Sequence, residues 1–383
     1  MDIASPVSSN KHLLSACWDP KQAAANILEG LINVCEPSVK GAHDADFVIV
    51  NDRAYIVYEA NDIQPGENPT WPFIYCVMSI VNLNTNAVEK VIRFASSEMD
   101  FRNAKLPAGA CFVPRIIQKN DKTLRCFFAS ENPGVRESQT WYIDFDLDEN
   151  DFIYNIYKAK LKISLGTFDM QPRYLYMDAV SQGFKGIQFD YGMYIVDSFR
   201  EFDNKVYAVL NNFKIGQNAL AILNEDIDTF EVIGHYNEPY EMKLTESSIN
   251  RLPDGSWLAI SRQENGNLNY AFSCSKNGRE WSAHEYRNPV YNGDNSKPNF
   301  DKFNSIYYLG WQDAERLDGI RRSIFNIDIS TDCINWERKY RFETVKSFQY
   351  PKFLQYKGTI YLAVTQGDTS ASRKERIMFG KLE

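Results

Sequence analysis

ESSINRLPDGSWLAISRQEN, residues 246–265, opens on an acid, alternates along one strand and reaches LPDG. In that turn Pro253 presets φ and Gly255 accepts left-handed backbone. A second, more aromatic strand then ends on Arg262, Gln263 and Glu264. This layout of polar start, strand, tight turn, aromatic strand and polar end recurs along the chain. DADFVIVNDRAYIVYEAND begins at Asp44, ACFVPRIIQKNDKTLRCFFASEN at Ala110 and IVDSFREFDNKVYAVLNNF at Ile195. SKPNFDKFNSIYYLGWQDA begins at Ser296 and YPKFLQYKGTIYLAVTQGD at Tyr350. The last four of the six units start roughly 50 residues apart, the length of one four-stranded propeller blade.

Each of the first five units is followed by a second hairpin, such as YCVMSIVNLNTNAVEKVIRF or ALAILNEDIDTFEVIGHY. The sixth has only RIMFGKL, one strand short of a blade. A strand from residues 31–37, or from the stretch before Asp19, would complete it and remove an exposed sheet edge. Asp19 and Pro20 mark the start of the one helix that reads clearly, KQAAANILEGLINV, with Ile27, Leu28, Leu31 and Ile32 on one face. The expectation is an all-β chain: an N-terminal helix and closing segment over residues 1–43, then a single six-bladed β-propeller over residues 44–383. Five or seven blades stay open, because an insertion around residues 163–192 (containing GTFDMQPRYLYMDAV) could hide a partial unit.

The 383 residues carry 42 basic and 50 acidic groups, a net charge of −8, without basic clusters. That balance argues against nucleic acid and against an anionic membrane surface as partners. No apolar run approaches the roughly 20 residues of a bilayer-spanning helix. The N-terminus lacks the basic start and apolar stretch of a secretion signal. Cys17, Cys35, Cys76, Cys111, Cys126, Cys274 and Cys333 are scattered and show no paired metal spacing, so they read as free thiols of a cytoplasmic protein. Aromatic residues make up 14% of the chain, a level suited to sheet packing and to sugar binding alike.

Two second hairpins carry a sharper signature. SKNGREW begins at Ser275 and STDCINW at Ser330, 55 positions later and at the same point of the repeat. Each has a hydroxyl residue, then Asn or Asp two positions on, then Trp four further. The short side chains bond the turn backbone while the Trp packs between sheets. These turns resemble the Asp-box of the sialidase superfamily, with Asn277 in place of Asp and Cys333 in place of Gly.

In a propeller the site forms where inner-strand starts and second-strand ends converge. Candidates of the first kind are Asp44, Asp46, Asp197, Glu246, Lys297 and Tyr350, and of the second Glu59, Asp62, Glu131, Arg262, Gln263 and Gln312. The sialidase resemblance implies roles for some of them. Glu246 and Arg262, 16 positions apart, are similar to the segment in which a Glu polarises a nucleophilic Tyr and an Arg binds the substrate carboxylate. Tyr350 is similar to that nucleophile, and Arg322, with Arg321 competing, to a second carboxylate-binding Arg. Asp62, in the loop ANDIQPGENPTWP, would be the acid that protonates the leaving oxygen, with Asp46 in reserve. A phenol with a pKa near about 10 needs such a carboxylate neighbour to act as a nucleophile at neutral pH.

On the first blade, where sialidases have an Arg, this chain has Asp44 and Asp46. The expected activity is therefore exo-acting hydrolysis of a glycan other than a standard sialoside. Asp44, Lys297, Gln263 and Trp311 would complete the substrate site. Two alternatives stand beside it. One is a propeller polysaccharide lyase acting on a uronate, for which His43 beside Asp44 is of interest; His12, His235 and His284 read as surface or structural residues. The other is a non-catalytic sugar-binding propeller using Trp71, Tyr270 and Trp311 for stacking. The partner is a glycan in each case. No cofactor or metal site is expected, although acids at the strand starts could hold a structural calcium.

Overall fold

The alternating segments pair antiparallel with their sequence neighbours, and in a computed structural model they collect into six sheets. The structure describes residues 12–67, 72–132, 134–368 and 373–383. The first sheet contains Gly41–Val50, Arg53–Asn61, Tyr75–Asn82 and Ala87–Ala95, and the second Ala110–Asn120, Thr123–Asn132, Glu137–Asp146 and Asp151–Lys158. In the third, Met193–Ile195 and Arg200–Phe202 both lie on Lys205–Asn212, followed by Gln217–Leu223 and Thr229–His235. The fifth contains Asn299–Phe303, Ile306–Gln312, Ile324–Ser330 and Glu337–Glu343. The sixth joins Gln349–Tyr356, Thr359–Gln366 and Arg376–Lys381 to Ile32–Asn33 from the N-terminal region. There Ile32 pairs with Phe379 and Asn33 with Met378, the closure that the short last unit requires.

The fourth sheet stops at three strands, Leu244–Arg251, Trp257–Gln263 and Ala271–Ser275. Its outer position is reduced to a bridge between Phe272 and Glu285, and Pro289 soon removes a donor that a ladder would need. Five sheets of four or more strands thus define five blades of a β-propeller, a count left open beside the expected six. The inner strands pack side by side in cyclic order, and that of the sixth sheet returns against that of the first.

The core lies between adjacent sheets. Met78, Phe94, Phe128 and Phe145 fill the first interface, and Phe325, Phe342, Phe348 and Leu362 fill the one between the fifth and sixth. Each such side chain contributes about 1.5–3 kcal/mol on burial. Helix α1, Pro20–Glu29, is capped by Asp19, whose Oδ1 accepts from the amides of Lys21 (2.9 Å) and Gln22 (3.1 Å). It ends at Gly30, short of the expected run, because Ile32–Asn33 is taken by the closing strand.

The insertion adds Lys160–Ile163, parallel to Thr229–His235, then Gly166–Asp169 and an unexpected helix α2, Pro172–Ser181. The helix escaped the periodicity reading because one of its few buried positions is Asp178, which accepts from Ser164 and pairs with His235 at 2.8 Å. All seven cysteines are free thiols, and Cys76, Cys111, Cys126 and Cys333 are buried.

The two Trp-ended turns close on themselves. Asn277 Oδ1 accepts from the amides of Arg279 (2.8 Å) and Glu280 (3.0 Å), and Asp332 Oδ1 from those of Ile334 and Asn335 (both 2.8 Å). Burial raises the Asp332 carboxyl, but these amide bonds outweigh it and hold the group at about 2. Gly278 has φ +74° and Cys333 φ +60°, so the residue that departs from Gly adopts the same left-handed backbone.

Candidate functional site

Four inner strands break register at corresponding points near their starts. The shifts fall between His43 and Asp46, between Phe112 and Arg115, between Thr245 and Ser247 and between Gln349 and Lys352. Asp44, Val113 and Tyr350 sit in three of these bulges with φ of +49°, +50° and +52°, and Glu246 is the residue skipped in the fourth. A bulge re-aims one side chain out of the strand's alternation, and left-handed backbone at a non-glycine residue costs about 1–2 kcal/mol. Here the bulges turn these residues into one cavity of about 370 Å³, lined also by His43, Glu59, Glu67, Glu131, Tyr194, Lys214, Arg262, Arg322 and Lys374. That volume lies within the range of small-ligand sites.

At its floor, the Tyr350 hydroxyl donates to Glu246 Oε2 at 2.7 Å. Arg262 Nη1 donates to the same carboxylate oxygen (2.6 Å) and to the phenolic oxygen (2.5 Å). Burial, opposed by Arg262 and reinforced by Glu246, holds the Tyr350 phenol well above its ordinary range. The His43 ring lies 4.3 Å from that of Tyr350, centroid to centroid, with Nδ1 3.1 Å from Thr365 Oγ1. Burial, helped by Lys374, keeps this imidazole neutral.

Arg322 is buried and donates to Gln349 Oε1 (2.9 Å) and the Asn295 carbonyl (2.8 Å). It makes no ion pair with a carboxylate among the described residues. Burial lowers its pKa. A buried cation held only by neutral acceptors favours an incoming anion.

A second cluster forms the opposite wall. Asn61 clamps the loop after the second strand: its Nδ2 donates to the Gly66 carbonyl (2.8 Å) and its Oδ1 accepts from the amides of Ile63 and Gln64. Gly41 permits the close approach, since a Cβ there would collide with the Gly66 carbonyl. The loop thereby brings Glu67 to Lys374 Nζ (2.7 Å), to His43 Nε2 (3.4 Å) and into a hydrogen bond with Glu59. Burial and the neighbouring Glu67 push the Glu59 carboxyl well above the carboxylate range. Burial also raises Glu67, but Lys374 and the hydrogen bond with Glu59 outweigh it and hold it well below. A hydrogen bond between two carboxyls needs a proton, and the opposite shifts put it on the Glu59 side. Glu131, raised by burial, accepts from the Tyr194 hydroxyl at 2.6 Å.

Of the residues singled out in the sequence, Tyr350, Glu246, Arg262, Arg322, Asp44, Glu59, Glu131 and His43 line this cavity. Asp62 does not. It accepts from Tyr75 and pairs with Arg93 at 2.6 Å on the outer side of the first sheet, whereas Glu67, five positions on in the same loop, faces inward. The reserve acid Asp46 is buried on the channel axis, where it accepts from Ser198 Oγ (2.6 Å) and the Ile116 amide (3.2 Å).

Lys297 is spent on Asp44, at 2.9 Å, opposite Arg115 at 2.8 Å. Burial raises Asp44, but the two cations prevail and hold it ionised. Gln263 is buried and bonded to the Asn265 carbonyl and the Tyr286 hydroxyl. Trp311 is a core residue, fully buried, with Nε1 donating to Asp328. Tyr270 is buried as well, and Trp71 lies outside the described residues. Among the described residues no group of three or more His, Cys, Asp or Glu could hold a metal ion. The sequence reading did not single out Glu67, Lys214, Lys374 or Tyr194. Only Glu67 left a signal, as the second acid in the loop already assigned to the acid.

No family model matches the chain, and no curated protein matches it by sequence. Solved structures do. A protein of unknown function from Dyadobacter fermentans superposes with TM-score 0.64 at 11% identity, covering 92% of this chain and 97% of the other. Trypanosoma rangeli sialidase in complex with the inhibitor DANA superposes with TM-score 0.61 at 11% identity, covering 92% and 57%. A Hadza microbial sialidase gives TM-score 0.61 at 13% identity, covering 92% and 68%. The chain thus spans little more than half of the trypanosomal enzyme. The likeness is one of fold: a sialidase-like β-propeller.

Proposed function

We propose that the protein is a glycoside hydrolase acting on an anionic glycan through a tyrosyl intermediate. The observation that carries this reading is the 2.7 Å contact between Tyr350 and Glu246 in a cavity that also holds the Arg322 guanidinium, which makes no ion pair among the described residues. The phenolic oxygen attacks the anomeric carbon while its proton passes to Glu246. The bond to the leaving oxygen breaks as the protonated Glu59–Glu67 pair donates its proton. Water, deprotonated by the same pair, then attacks the anomeric carbon and releases the phenolate, which recovers its proton from Glu246. Arg262 stabilises charge on the phenolic oxygen and Arg322 anchors a carboxylate of the sugar. A phenol in place of a carboxylate nucleophile avoids setting two anions against each other. A fold neighbour, Trypanosoma rangeli sialidase, has been captured with 2,3-difluorosialic acid as a covalent intermediate. We further infer that the three-stranded fourth sheet counts as a sixth blade, since its inner strand packs between its neighbours in the ring.

A second reading, elimination from a uronate, is favoured by the neutral His43 imidazole beside Tyr350. Incubation with a panel of acidic glycans separates the two. New reducing ends without an ultraviolet-absorbing unsaturated uronate support hydrolysis. The absorbing product supports the lyase, and neither product from any glycan contradicts both.

A further inference from the structure

Beside the Tyr350 cavity lies another, of about 590 Å³, and Arg322 and Lys374 line both. Arg316, Arg321 and Arg373 complete its charged wall, and no carboxylate among the described residues lines it. Five cations thus face one space in a chain whose net charge is −8. Two are partly neutralised, Arg321 by Asp294 at 3.0 Å and Lys374 by Glu67 at 2.7 Å. The others are not. Arg322 and Arg373 donate to neutral oxygens (Gln349 and Asn295 for the first, the Gly367 and Asp368 carbonyls for the second), and the Nε of each is buried without an acceptor among the described residues. Arg316 is exposed and makes no ion pair among the described residues. Both Arg322 and Arg373 hold left-handed backbone, φ +60° and +50°, so strain is maintained where the guanidinium groups converge. Like charges gathered at one mouth raise the local concentration of an anionic ligand.

We propose that this second cavity binds a further anionic group, a sulfate ester or a second carboxylate, on the residue next to the sugar held over Tyr350. The ligand is then a glycan with at least two neighbouring anionic groups. This rests on the reading of the first cavity as a sugar site, so binding is measured apart from turnover, in the full chain carrying Tyr350→Phe. Calorimetric titrations use a sulfated chondroitin tetrasaccharide, the unsulfated chondroitin tetrasaccharide and maltotetraose. At least one anionic probe should bind at least about tenfold more tightly than maltotetraose and weaken as salt is raised. Preference between the two anionic probes assigns sulfate or carboxylate.

Arg316→Ser and Arg321→Ser, both at partly exposed positions, should each cost about tenfold in that affinity. Lys105→Ser and Lys158→Ser, at another basic groove on the second sheet, should leave it unchanged. Failure of every probe to bind, equal affinity for maltotetraose, or equal losses in the two pairs of variants overturns the proposal. Intact anion binding with no turnover of any glycan by the unsubstituted protein overturns the hydrolase reading instead.

Discussion

Arg200, Asp197 and Asp301 on the propeller axis, and Arg322, Glu59 and Tyr350 at its mouth, are drawn from similar residue types and are nearly all buried. They differ in how far they are satisfied. On the axis Arg200 bridges Asp197 (3.1 Å) and Asp301, while Ser248 Oγ (2.9 Å) and the Ser198 amide (2.9 Å) also donate to Asp197. Lys352 faces the same two carboxylates, so two cations meet two anions, and the inner strands are tied across the channel. At the mouth the guanidinium of Arg322 pairs with no carboxylate among the described residues, the Glu59 carboxyl is pushed well above its ordinary range, and the left-handed residues of the bulged strands face the cavity. Charges cancelled in place brace a ring; charges left uncompensated, with strain beside them, prepare for a ligand that supplies what is missing.

Substitutions can break this contrast. Arg200→Met leaves two buried carboxylates without the guanidinium that bridges them and should cost about 3–5 kcal/mol of unfolding free energy, measured by denaturant titration. A loss below about 1 kcal/mol would move the axis out of the bracing role. Tyr350→Phe should do the reverse. It should lower turnover by about 10³-fold, equivalent to about 4 kcal/mol, while stability shifts by no more than the ~1 kcal/mol of one hydrogen bond. Comparable losses of stability at the two positions would erase the distinction.

Glu59→Gln sharpens it further, with an expected loss of about 10²-fold in kcat. Because burial and Glu67 raise the Glu59 carboxyl, the unsubstituted protein should lose activity as pH rises and the proton leaves, and the variant should lose that alkaline limb. The last effect is one of pH dependence and concerns Glu238, bonded to Asn218 at 2.8 Å and pushed up by burial to about 8, against an ordinary 4.5. A carboxyl raised on folding stabilises fully below its unfolded pKa and loses that contribution as pH climbs towards its folded one. Unfolding free energy should therefore decline between about pH 4.5 and 8, and Glu238→Gln should flatten the decline.

The repeat, the missing last strand and its closure from the N-terminal region were legible because alternation and turn chemistry are local. So was the meeting of Glu246, Arg262 and Tyr350, whose positions follow from the ends of repeated strands; Arg322 was singled out through the sialidase resemblance instead. The bulges were not legible: nothing in the types of Val113 or Tyr350 announces left-handed backbone, which tertiary packing imposes. Direction was equally hidden. Asp62 and Glu67 share a loop, and only the Asn61 clamp and the close approach at Gly41 decide which acid turns inward. Trp311 and Lys297 read as site residues because strand ends are usually exposed, yet one fills the core and the other neutralises Asp44.

The central claim concerns one covalent bond. Intact-mass spectrometry of the protein, quenched during turnover of a fluorinated analogue of whichever glycan it cleaves, should show one added glycosyl unit. That unit should map to the peptide containing Tyr350 and be absent from Tyr350→Phe. A steady state with full turnover and no adduct, or an adduct on any other residue, would contradict the account.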